Sequence, residues 1–289
     1  GGGLGRAYAL DLARRGAAVV VNDVAKDGKT GEFYADRVVS EIKSAGYRAI
    51  ANHDSALDGE KIVEQAVSVF GRVDGIVNNA GILRDRSFHK MSDKDWDSVL
   101  KVHVYATRSV CKAAWPLFRK QKFGRVINIS SVNGLYGAYG QANYSTAKSA
   151  MIGLSKTLAK EGRKHNIKVN VVAPGAGGDS KMTKTILPPP MYKAWKPEYV
   201  TPIVSLLVSE KCPCSGRVFE AGGGFFGEVK WQRSEGLYLP LDKESDPLIL
   251  LRNWNKVTDF SKATYPEEDT GLTPQLRQIA EKLAAKSKL

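Results

Sequence analysis

The stretch GGGLGRAYALDLARRGAAVVVNDV, residues 1–24, contains a glycine-rich turn, a helix and a strand in that order. Apolar residues follow the turn at helical spacing, which predicts an amphipathic helix. The β-branched run at 17–22 is typical of a buried parallel strand. Backbone amides at a glycine-rich helix start favour an anion, so Gly3, Leu4 and Gly5 are candidate ligands of a dinucleotide pyrophosphate.

Strands continue to alternate with helices along most of the chain. Helices are predicted at 4–16, 35–44, 59–70, 93–121, 144–165 and 197–209, and strands at 17–22, 47–52, 75–78, 125–130, 168–173 and 217–220. This alternation predicts an α/β fold, a Rossmann-type doubly wound parallel sheet with helices on both faces. Beyond Gly227 it stops. We therefore expect a dinucleotide-binding domain at 1–229, and a C-terminal extension at 230–289 that packs on the core or on a partner subunit and has a last helix near 274–286.

The composition is that of an ordinary globular protein, with 43% hydrophobic and 25% charged residues among 289. No apolar run approaches the roughly 18 residues of a membrane-spanning helix, so we expect no membrane span. Three cysteines are too few for a disulfide framework. Cys212-Pro213-Cys214 has no His or Cys neighbours at metal-ligand spacing, so we expect no metal site and a reducing compartment.

The net charge of +13 lies almost entirely in residues 1–229. Nucleic-acid binding is one interpretation of such an excess. The basic residues are scattered, however, and no basic stretch is interleaved with aromatic residues, so we expect no nucleic-acid partner. An anionic small-molecule substrate and a solvated basic surface are the two remaining interpretations.

Polar residues at the ends of the predicted strands continue the cofactor site. Asp23 ends its strand eighteen residues after Gly5, near the spacing of a carboxylate that binds the adenosine ribose. Such a carboxylate would repel a 2′-phosphate, so NAD is preferred over NADP. A simple turn aspartate is the alternative. The other candidates follow the next two strands and are Asp54, Ser55, Asn79, Ala80 and Gly81.

Tyr144 and Lys148 lie four residues apart on a predicted helix, which puts a phenol and an ammonium on one face. A free phenol has a pKa of about 10, and a nearby ammonium lowers that pKa because it favours the phenolate. Ser131, on the loop after the preceding strand, is placed to hold a substrate oxygen beside them. These groups suit proton transfer with alcohols and carbonyls, although an ordinary amphipathic helix produces the same spacing.

In order and approximate spacing, these motifs resemble those of the short-chain dehydrogenase/reductase family over about residues 1–228. The motifs are Gly3-x-Gly5, Asp23, Asn78-Asn79-Ala80-Gly81, Ser131, Tyr144-x-x-x-Lys148 and Pro174-Gly175. The resemblance implies that Tyr144 is the acid/base, that Lys148 lowers its pKa and binds the nicotinamide ribose, and that Ser131 orients the substrate oxygen. It also implies cofactor contacts in the region after the fifth strand, at Pro174, Gly175 and Thr183.

The sequence departs from the family pattern at two points. The family's first glycine, four residues before Gly3, and the strand before it are absent, so we expect the native chain to continue upstream of Gly1. The family's helix asparagine, which holds a proton-relay water, aligns with His103. A relay through His103 and a packed or backbone-bonded histidine are both open interpretations.

Longer stretches resemble the (3R)-hydroxyacyl-CoA dehydrogenase unit of type 2 peroxisomal multifunctional enzymes, and this resemblance covers nearly the whole chain. The stretches lie at 5–10, 21–23, 79–88, 136–145, 196–200, 231–233 and 253–260. The resemblance implies a homodimer that uses NAD to oxidise (3R)-3-hydroxyacyl-CoA to 3-ketoacyl-CoA in peroxisomal fatty-acid β-oxidation. The alternatives are a steroid or ketoacyl dehydrogenase/reductase of the same family and a non-catalytic dinucleotide-sensing scaffold.

The C-terminal tripeptide Ser287-Lys288-Leu289 is a peroxisomal address that an import receptor reads. It follows the extension directly, so a stand-alone dehydrogenase of the peroxisomal matrix is expected. The positive charge suits the phosphates of CoA, for which Arg84 and Arg86 are candidate contacts, with solvated rim charges as the alternative. The loop at 177–181 is longer than is usual in the family.

Overall fold

The computed structural model describes residues 1–175, 195–239, 246–266, 276 and 279–281. The chain forms two compact units, Gly1–Val229 and Lys230–Leu289. The larger unit contains the sheets, the helices that pack on them and the candidate site.

Within the described part of the larger unit, seven strands form two separate sheets. The strands are β1 (Val19–Asn22), β2 (Ala49–Asn52), β3 (Gly75–Asn78), β4 (Gly124–Ile129), β5 (Ile167–Pro174), β6 (Val218–Gly222) and β7 (Phe225–Val229). β1 pairs in parallel with β2. The second sheet has the order β3-β4-β5-β6-β7, and β7 is its antiparallel strand. The predicted parallel sheet is confirmed.

The strands form where short β-branched runs are buried on both faces between helices. All six residues of β4 are buried. Val126 of β4 packs into one core cluster with Val110, whereas Ile127 and Ile129 pack into another with Tyr8. Neighbouring residues therefore face opposite layers of helix, which is the packing of a doubly wound sheet.

Helices cover both faces of the sheets. Those of the described larger unit are α1 (Gly3–Arg14), α2 (Tyr34–Ser44), α3 (Gly59–Phe70), α4 (Asp93–Leu100), α5 (Ala106–Gln121), α6 (Val132–Tyr136), α7 (Ala142–Gly162) and α8 (Thr201–Val208). α1 packs with α2 and α8 on one side, and α3, α5 and α7 share the core of the other. α1 joins the two sheets, because Tyr8 packs in the core against β4 while Ala9 and Ala13 pack against β1.

The predicted helix at 93–121 is continuous but changes its hydrogen bonding in the middle. A π turn at Lys101–Tyr105 joins α4 to α5. A π turn accommodates an additional residue, so it alters the direction of the side chains around it, and such turns often occur at functional sites. His103 is the buried residue of this turn.

The hairpin that adds β7 was not predicted. Gly223 and Gly224 connect β6 to β7 and have φ values of 57° and 86°. Two consecutive residues with positive φ are typical of the type I′ turn, which favours a two-residue hairpin. The run of three glycines at 222–224 is the local signal for this turn.

In the smaller unit, the described residues form two short helices, Pro247–Arg252 and Trp254–Val257, and a bridge between Arg233 and Thr264. The helix predicted near 274–286 lies mostly outside the described residues, and the tripeptide at 287–289 lies wholly outside them. Across the part of the chain that the structure describes, no helix combines the length and apolar character needed to cross a membrane.

Candidate active site

Three side chains that the sequence singled out lie together at the carboxyl end of β4. Ser131 follows β4 and caps α6, where its Oγ accepts the N–H of Asn133 at 3.2 Å. Its side chain also hydrogen-bonds to Tyr144. Lys148 lies one turn after Tyr144 on α7, where its Nζ donates to the Ile129 carbonyl oxygen at 2.7 Å and lies 5.6 Å from the centroid of the Tyr144 ring.

Burial controls the protonation of Tyr144 and Lys148. It raises the pKa of Tyr144, the hydrogen bond with Ser131 opposes that rise, and the carboxylate of Asp85 adds to it. Burial lowers the pKa of Lys148 to about 7. The structure therefore does not show the lowered phenol pKa that the spacing predicted. The reason is that desolvation penalises the charged form of each group and is the largest cause acting on each pKa.

His103 lies beside Tyr144 and is held by the backbone of Ile82. Its Nε2 lies 2.9 Å from the carbonyl oxygen and 3.1 Å from the amide nitrogen of Ile82. The His103 and Tyr144 rings meet edge-on, with centroids 5.3 Å apart. Burial, reinforced by the charge of Lys148, lowers the pKa of His103 to about 3, so the imidazole is neutral at pH 7.

A neutral imidazole makes one of these two backbone bonds at a time, because Nε2 either carries the proton or accepts one. The other ring nitrogen, Nδ1, is buried and has no partner among the described residues. Of the two interpretations left open by the sequence, the structure shows the backbone-bonded histidine.

The glycine-rich turn leaves open space at the start of α1. Gly3 has a φ of +46°, a conformation that glycine adopts readily. A Cβ built on Gly2 or Gly3 meets no described atom within 4 Å, so a ligand can approach the backbone there. The nitrogen of Gly1 lies 2.8 Å from Oδ2 of Asp23, which brings the predicted ribose ligand beside the turn. Leu4 instead packs against the core.

A cleft of about 450 Å³ opens at the carboxyl end of β2. The residues that line it are Ala51, Asn52, His53, Asp54 and Gln65. The candidate cofactor ligand Asp54 accepts a hydrogen bond from Asn52 Nδ2 at 2.8 Å, which orients its carboxylate. The Oγ of Ser55 accepts the N–H of Leu57 at 3.2 Å and so stabilises the turn after the strand.

The loop after β3 passes close to both the glycine-rich turn and His103. A Cβ on Gly5 would lie 3.0 Å from Nδ2 of Asn79, and a Cβ on Gly81 would lie 2.4 Å from Cε1 of His103. Ala80 lies between these two close approaches. The loop therefore connects the predicted cofactor ligands to the residues around the phenol.

Pro174 ends β5, and the N–H of Gly175 donates to the Ala221 carbonyl oxygen at 2.9 Å. A Cβ on Gly175 would lie 2.7 Å from the ring of Trp195, so glycine is needed for this packing. The predicted cofactor contact Thr183 and the loop at 177–181 lie outside the described residues.

The sequence predictions did not include a hydrogen-bonded chain that ends at Ser131. Nδ2 of Asn133 donates to Oε1 of Gln141 at 2.7 Å, and Nε2 of Gln141 donates to Oδ2 of Asp85 at 2.8 Å. Both amides lie between Ser131 and Tyr144 in the sequence, and their presence inside the motif is the local signal that was available. Asp85 is remote in sequence, so finding it required the fold.

These features define what the site can do chemically. An open glycine-rich turn at a helix start, with a carboxylate beside it, fits the pyrophosphate and ribose of a dinucleotide. A phenol, a hydroxyl and an amine at one strand end suit proton exchange with an alcohol or a carbonyl. In the described ranges, no three His, Cys, Asp or Glu side chains are grouped so as to hold a metal ion.

Comparisons with known proteins identify relatives of this chain among peroxisomal enzymes. It is 51% identical over 270 residues to the peroxisomal hydratase-dehydrogenase-epimerase of Neurospora crassa, covering 92% of this chain and 30% of that protein. It is 49% identical over 278 residues to the peroxisomal multifunctional enzyme type 2 of Mus musculus, covering 94% of this chain and 38% of that protein.

A solved structure supports the same relationship. The full-length peroxisomal multifunctional enzyme type 2 from Drosophila melanogaster matches with a TM-score of 0.82 and 37% identity, covering 99% of this chain and 48% of that one. The chain thus spans less than half of each of these three proteins. The resemblance inferred from the motifs is confirmed. Because the short chain dehydrogenase family also matches residues 1–189, the chain belongs to the short-chain dehydrogenase family.

Proposed function

We propose that this chain is a dehydrogenase that uses NAD to oxidise (3R)-3-hydroxyacyl-CoA to 3-ketoacyl-CoA in peroxisomal fatty-acid β-oxidation. The observation that carries the proposal is the cluster of Ser131, Tyr144 and Lys148 in a chain 51% identical to a hydratase-dehydrogenase-epimerase. A hydratase makes an alcohol by adding water to a double bond, and a dehydrogenase then oxidises that alcohol. The substrate class follows from this order of reactions.

The roles of the three side chains follow from their contacts. The Oγ of Ser131 accepts the N–H of Asn133, so its hydroxyl hydrogen points away from Asn133, and we propose that it donates to the substrate oxygen when substrate binds beside Tyr144. The phenolate of Tyr144 takes the proton of the substrate hydroxyl as the C3–O bond becomes a carbonyl. The ammonium of Lys148 stabilises that phenolate. When bound, the cofactor supplies the redox chemistry by accepting the hydride that leaves C3.

His103 has a positioning role in this proposal. Its neutral ring packs edge-on against Tyr144 and fixes the backbone at Ile82. A neutral imidazole adds no charge that would change the ionisation of the phenol. It therefore restricts the phenol ring without competing for its proton.

Dehydrogenases of this family use NAD or NADP. We favour NAD because the carboxylate of Asp23, beside the glycine-rich turn, would repel a 2′-phosphate. The chain residues proposed to hold the cofactor are Gly3, Leu4, Gly5, Asp23, Asp54, Ser55, Asn79, Ala80, Gly81, Tyr144, Lys148, Pro174, Gly175 and Thr183. Replacement of Asp23 by Ser should raise the efficiency with NADP relative to NAD by about tenfold or more, since it removes a like charge.

The names of the relatives support a peroxisomal compartment, and the net charge of +13 supports an anionic CoA thioester as substrate. We also propose a homodimer and import through Ser287-Lys288-Leu289. Microscopy of fluorescent fusions with and without this tripeptide tests the import signal. Sedimentation equilibrium tests the dimer.

NADH formation from (3R)- and (3S)-3-hydroxyacyl-CoA of several chain lengths tests the reaction. We expect turnover of the 3R substrates with NAD, and little turnover with NADP. Preference for 3S substrates would refute the proposal. Preference for a free steroid alcohol would support the steroid dehydrogenase alternative, and NAD binding without any turnover would support a non-catalytic scaffold.

Tyr144→Phe tests the acid/base role, because it removes the hydroxyl and keeps the ring. General acid–base catalysis contributes about 10²–10⁴-fold, so we expect a loss of kcat in that range. A loss of less than about tenfold would exclude Tyr144 as the base. Tyr47→Phe is the matched control, since Tyr47 is an exposed tyrosine with no place in the proposed mechanism.

A further inference from the structure

The loop after β3 is attached to the segment between Ser131 and Tyr144 by three hydrogen bonds. They run from the Arg86 N–H to the Gly140 carbonyl (2.9 Å), from Gln141 Nε2 to Asp85 Oδ2 (2.8 Å) and from Asn143 Nδ2 to the Arg84 carbonyl (3.0 Å). The bond to Asp85 is the one that ends on a charged side chain. It therefore adds a charge to the attachment, which the two bonds to backbone carbonyls do not.

The carboxylate of Asp85 sets the orientation of the side chains behind it. An ionised carboxylate only accepts hydrogen bonds, so Gln141 must present its NH₂ group to Asp85 and its Oε1 to the other side. This Oε1 accepts from Nδ2 of Asn133 at 2.7 Å. The backbone N–H of Asn133 in turn donates to Oγ of Ser131 at 3.2 Å, which leaves the Ser131 hydroxyl hydrogen free to point away from Asn133.

The inner members of this chain are shielded from water. Gln141 is 6% exposed and Ser131 is 8% exposed, whereas Asp85 is exposed. Solvent cannot easily replace a lost bond at a buried amide, so the orientation of Gln141 depends on its protein partners. The carboxylate of Asp85, by contrast, is in contact with solvent.

We propose that Asp85 is a positioning residue for the reaction, which acts through Gln141 and Asn133 to align the hydroxyl of Ser131 with the reacting oxygen. The inference rests on the proposed function, in which Ser131 and Tyr144 are catalytic residues. It extends the site to an acid outside the short-chain dehydrogenase motif.

Asp85 also acts on Tyr144 through its charge, because its carboxylate raises the pKa of the phenol. Among the described residues, two other titratable groups contact the Tyr144 ring: Lys148 on its own helix and His103 on the π turn. The two effects of Asp85, alignment and charge, are separable by mutation.

Asp85→Asn removes the charge and keeps an oxygen that accepts from Gln141, whereas Asp85→Ala removes both. With (3R)-3-hydroxybutyryl-CoA and NAD, we expect Asp85→Asn to keep the plateau kcat within about twofold of the unmutated enzyme. Its pH profile of kcat/KM should shift down by about half a pH unit. Asp85→Ala should show the same shift and a plateau kcat about tenfold lower, with KM little changed, because alignment acts in the transition state.

Gln141→Met provides an independent variant, since it removes the hydrogen bonds between Asp85 and Asn133 but keeps the Asp85 charge. We expect a plateau kcat about tenfold lower without a downward shift of the pH profile. Asp97→Ala is the control, because Asp97 is an exposed acid on α4 that takes no part in the series of hydrogen bonds from Asp85 to Ser131. Circular dichroism and NAD affinity check that each variant is folded.

A plateau kcat for both Asp85→Ala and Gln141→Met within twofold of Asp97→Ala would overturn the inference. An equal loss in Asp85→Asn and Asp85→Ala would also overturn it, because charge alone would then explain the effect. Tyr144→Phe, measured in parallel, distinguishes a failure of the proposed function from a failure of the positioning role of Asp85. If Tyr144→Phe remains active, the proposed function fails. If Tyr144→Phe is inactive while Asp85→Ala and Gln141→Met keep the plateau kcat of the unmutated enzyme, only the role of Asp85 fails.

Discussion

Gly81→Ala should destabilise the protein through one identifiable clash with His103. A Cβ at position 81 would lie 2.4 Å from Cε1, 3.1 Å from Nδ1 and 3.2 Å from Nε2 of the imidazole. Real Cβ atoms essentially never approach a neighbour within 3.0 Å, so the ring or the loop must move. The ring has little freedom, because His103 is 2% exposed and is bonded to the backbone of Ile82.

The size of the effect follows from these two restraints. Overpacking a core by a methyl group costs about 1–3 kcal/mol, and leaving a buried polar group without its partner costs about 1–3 kcal/mol. Because movement of the ring relieves the clash as it breaks the hydrogen bond, the costs do not add fully. We expect the free energy of unfolding to fall by about 2–3 kcal/mol.

The double mutant isolates the clash. His103→Ala removes the imidazole, so Gly81→Ala in that background should cost less than about 0.5 kcal/mol, which gives a coupling energy of about 2 kcal/mol. Urea unfolding of the four proteins measures this coupling if the transitions are two-state. Gly153→Ala is the matched control, since a Cβ added to this helical glycine would meet no described atom within 4 Å and alanine favours the helix. A cost of Gly81→Ala that is the same with and without His103 would refute the reasoning.

Three further predictions concern pH. The folded pKa of His103 is about 3 against an ordinary 6.5, so the unfolded chain binds the additional proton and stability should rise with pH between these values, by at most about 1.4 kcal/mol per unit. His103→Asn should flatten that rise in urea titrations at pH 5 and pH 7. The folded pKa of Lys148 is about 7 against 10.5, so stability should likewise rise from pH 7 upward, and Lys148→Met should abolish this rise. Because burial raises the pKa of Tyr144 and oxidation needs its base form, kcat/KM for the alcohol should increase with pH above neutrality. A flat profile would contradict this.

The order of helices and strands was predictable because its signals are local. Helical spacing and β-branched runs gave the bounds of α3 and β3 to the residue. The π turn at Lys101–Tyr105 was not predictable, because an amphipathic pattern does not distinguish a regular helix from one with an inserted residue. β7 was missed because its pairing depends on β6 and on the glycine turn between them.

The candidate site was predictable to the extent that it depends on spacing along one helix. Tyr144 and Lys148 share a face of α7 because they are four residues apart. The bond between Gln141 and Asp85 joins residues 56 positions apart, so it arises from the fold and has no counterpart in local pattern. The contact between Gly81 and His103 is of the same kind.

Spacing also failed to predict protonation, because it describes attraction between two groups and not the loss of water around them. Lys148 is 5% exposed and donates to a neutral carbonyl, so burial lowers its pKa to about 7 while the pKa of Tyr144 rises. Burial thus favours the uncharged form of each group in this structure.

Besides burial, which is the largest cause, two neighbours act on the pKa of Tyr144 in opposite directions. The hydrogen bond with Ser131 lowers the phenol pKa, and the charge of Asp85 raises it. The series of hydrogen bonds that aligns Ser131 therefore ends on the same carboxylate that adds to the rise of the phenol pKa. Asp85→Asn separates these effects, since it keeps the acceptor for Gln141 and removes the charge. A downward shift of about half a pH unit corresponds to about threefold more phenolate, so this variant should oxidise the alcohol about threefold faster at neutral pH.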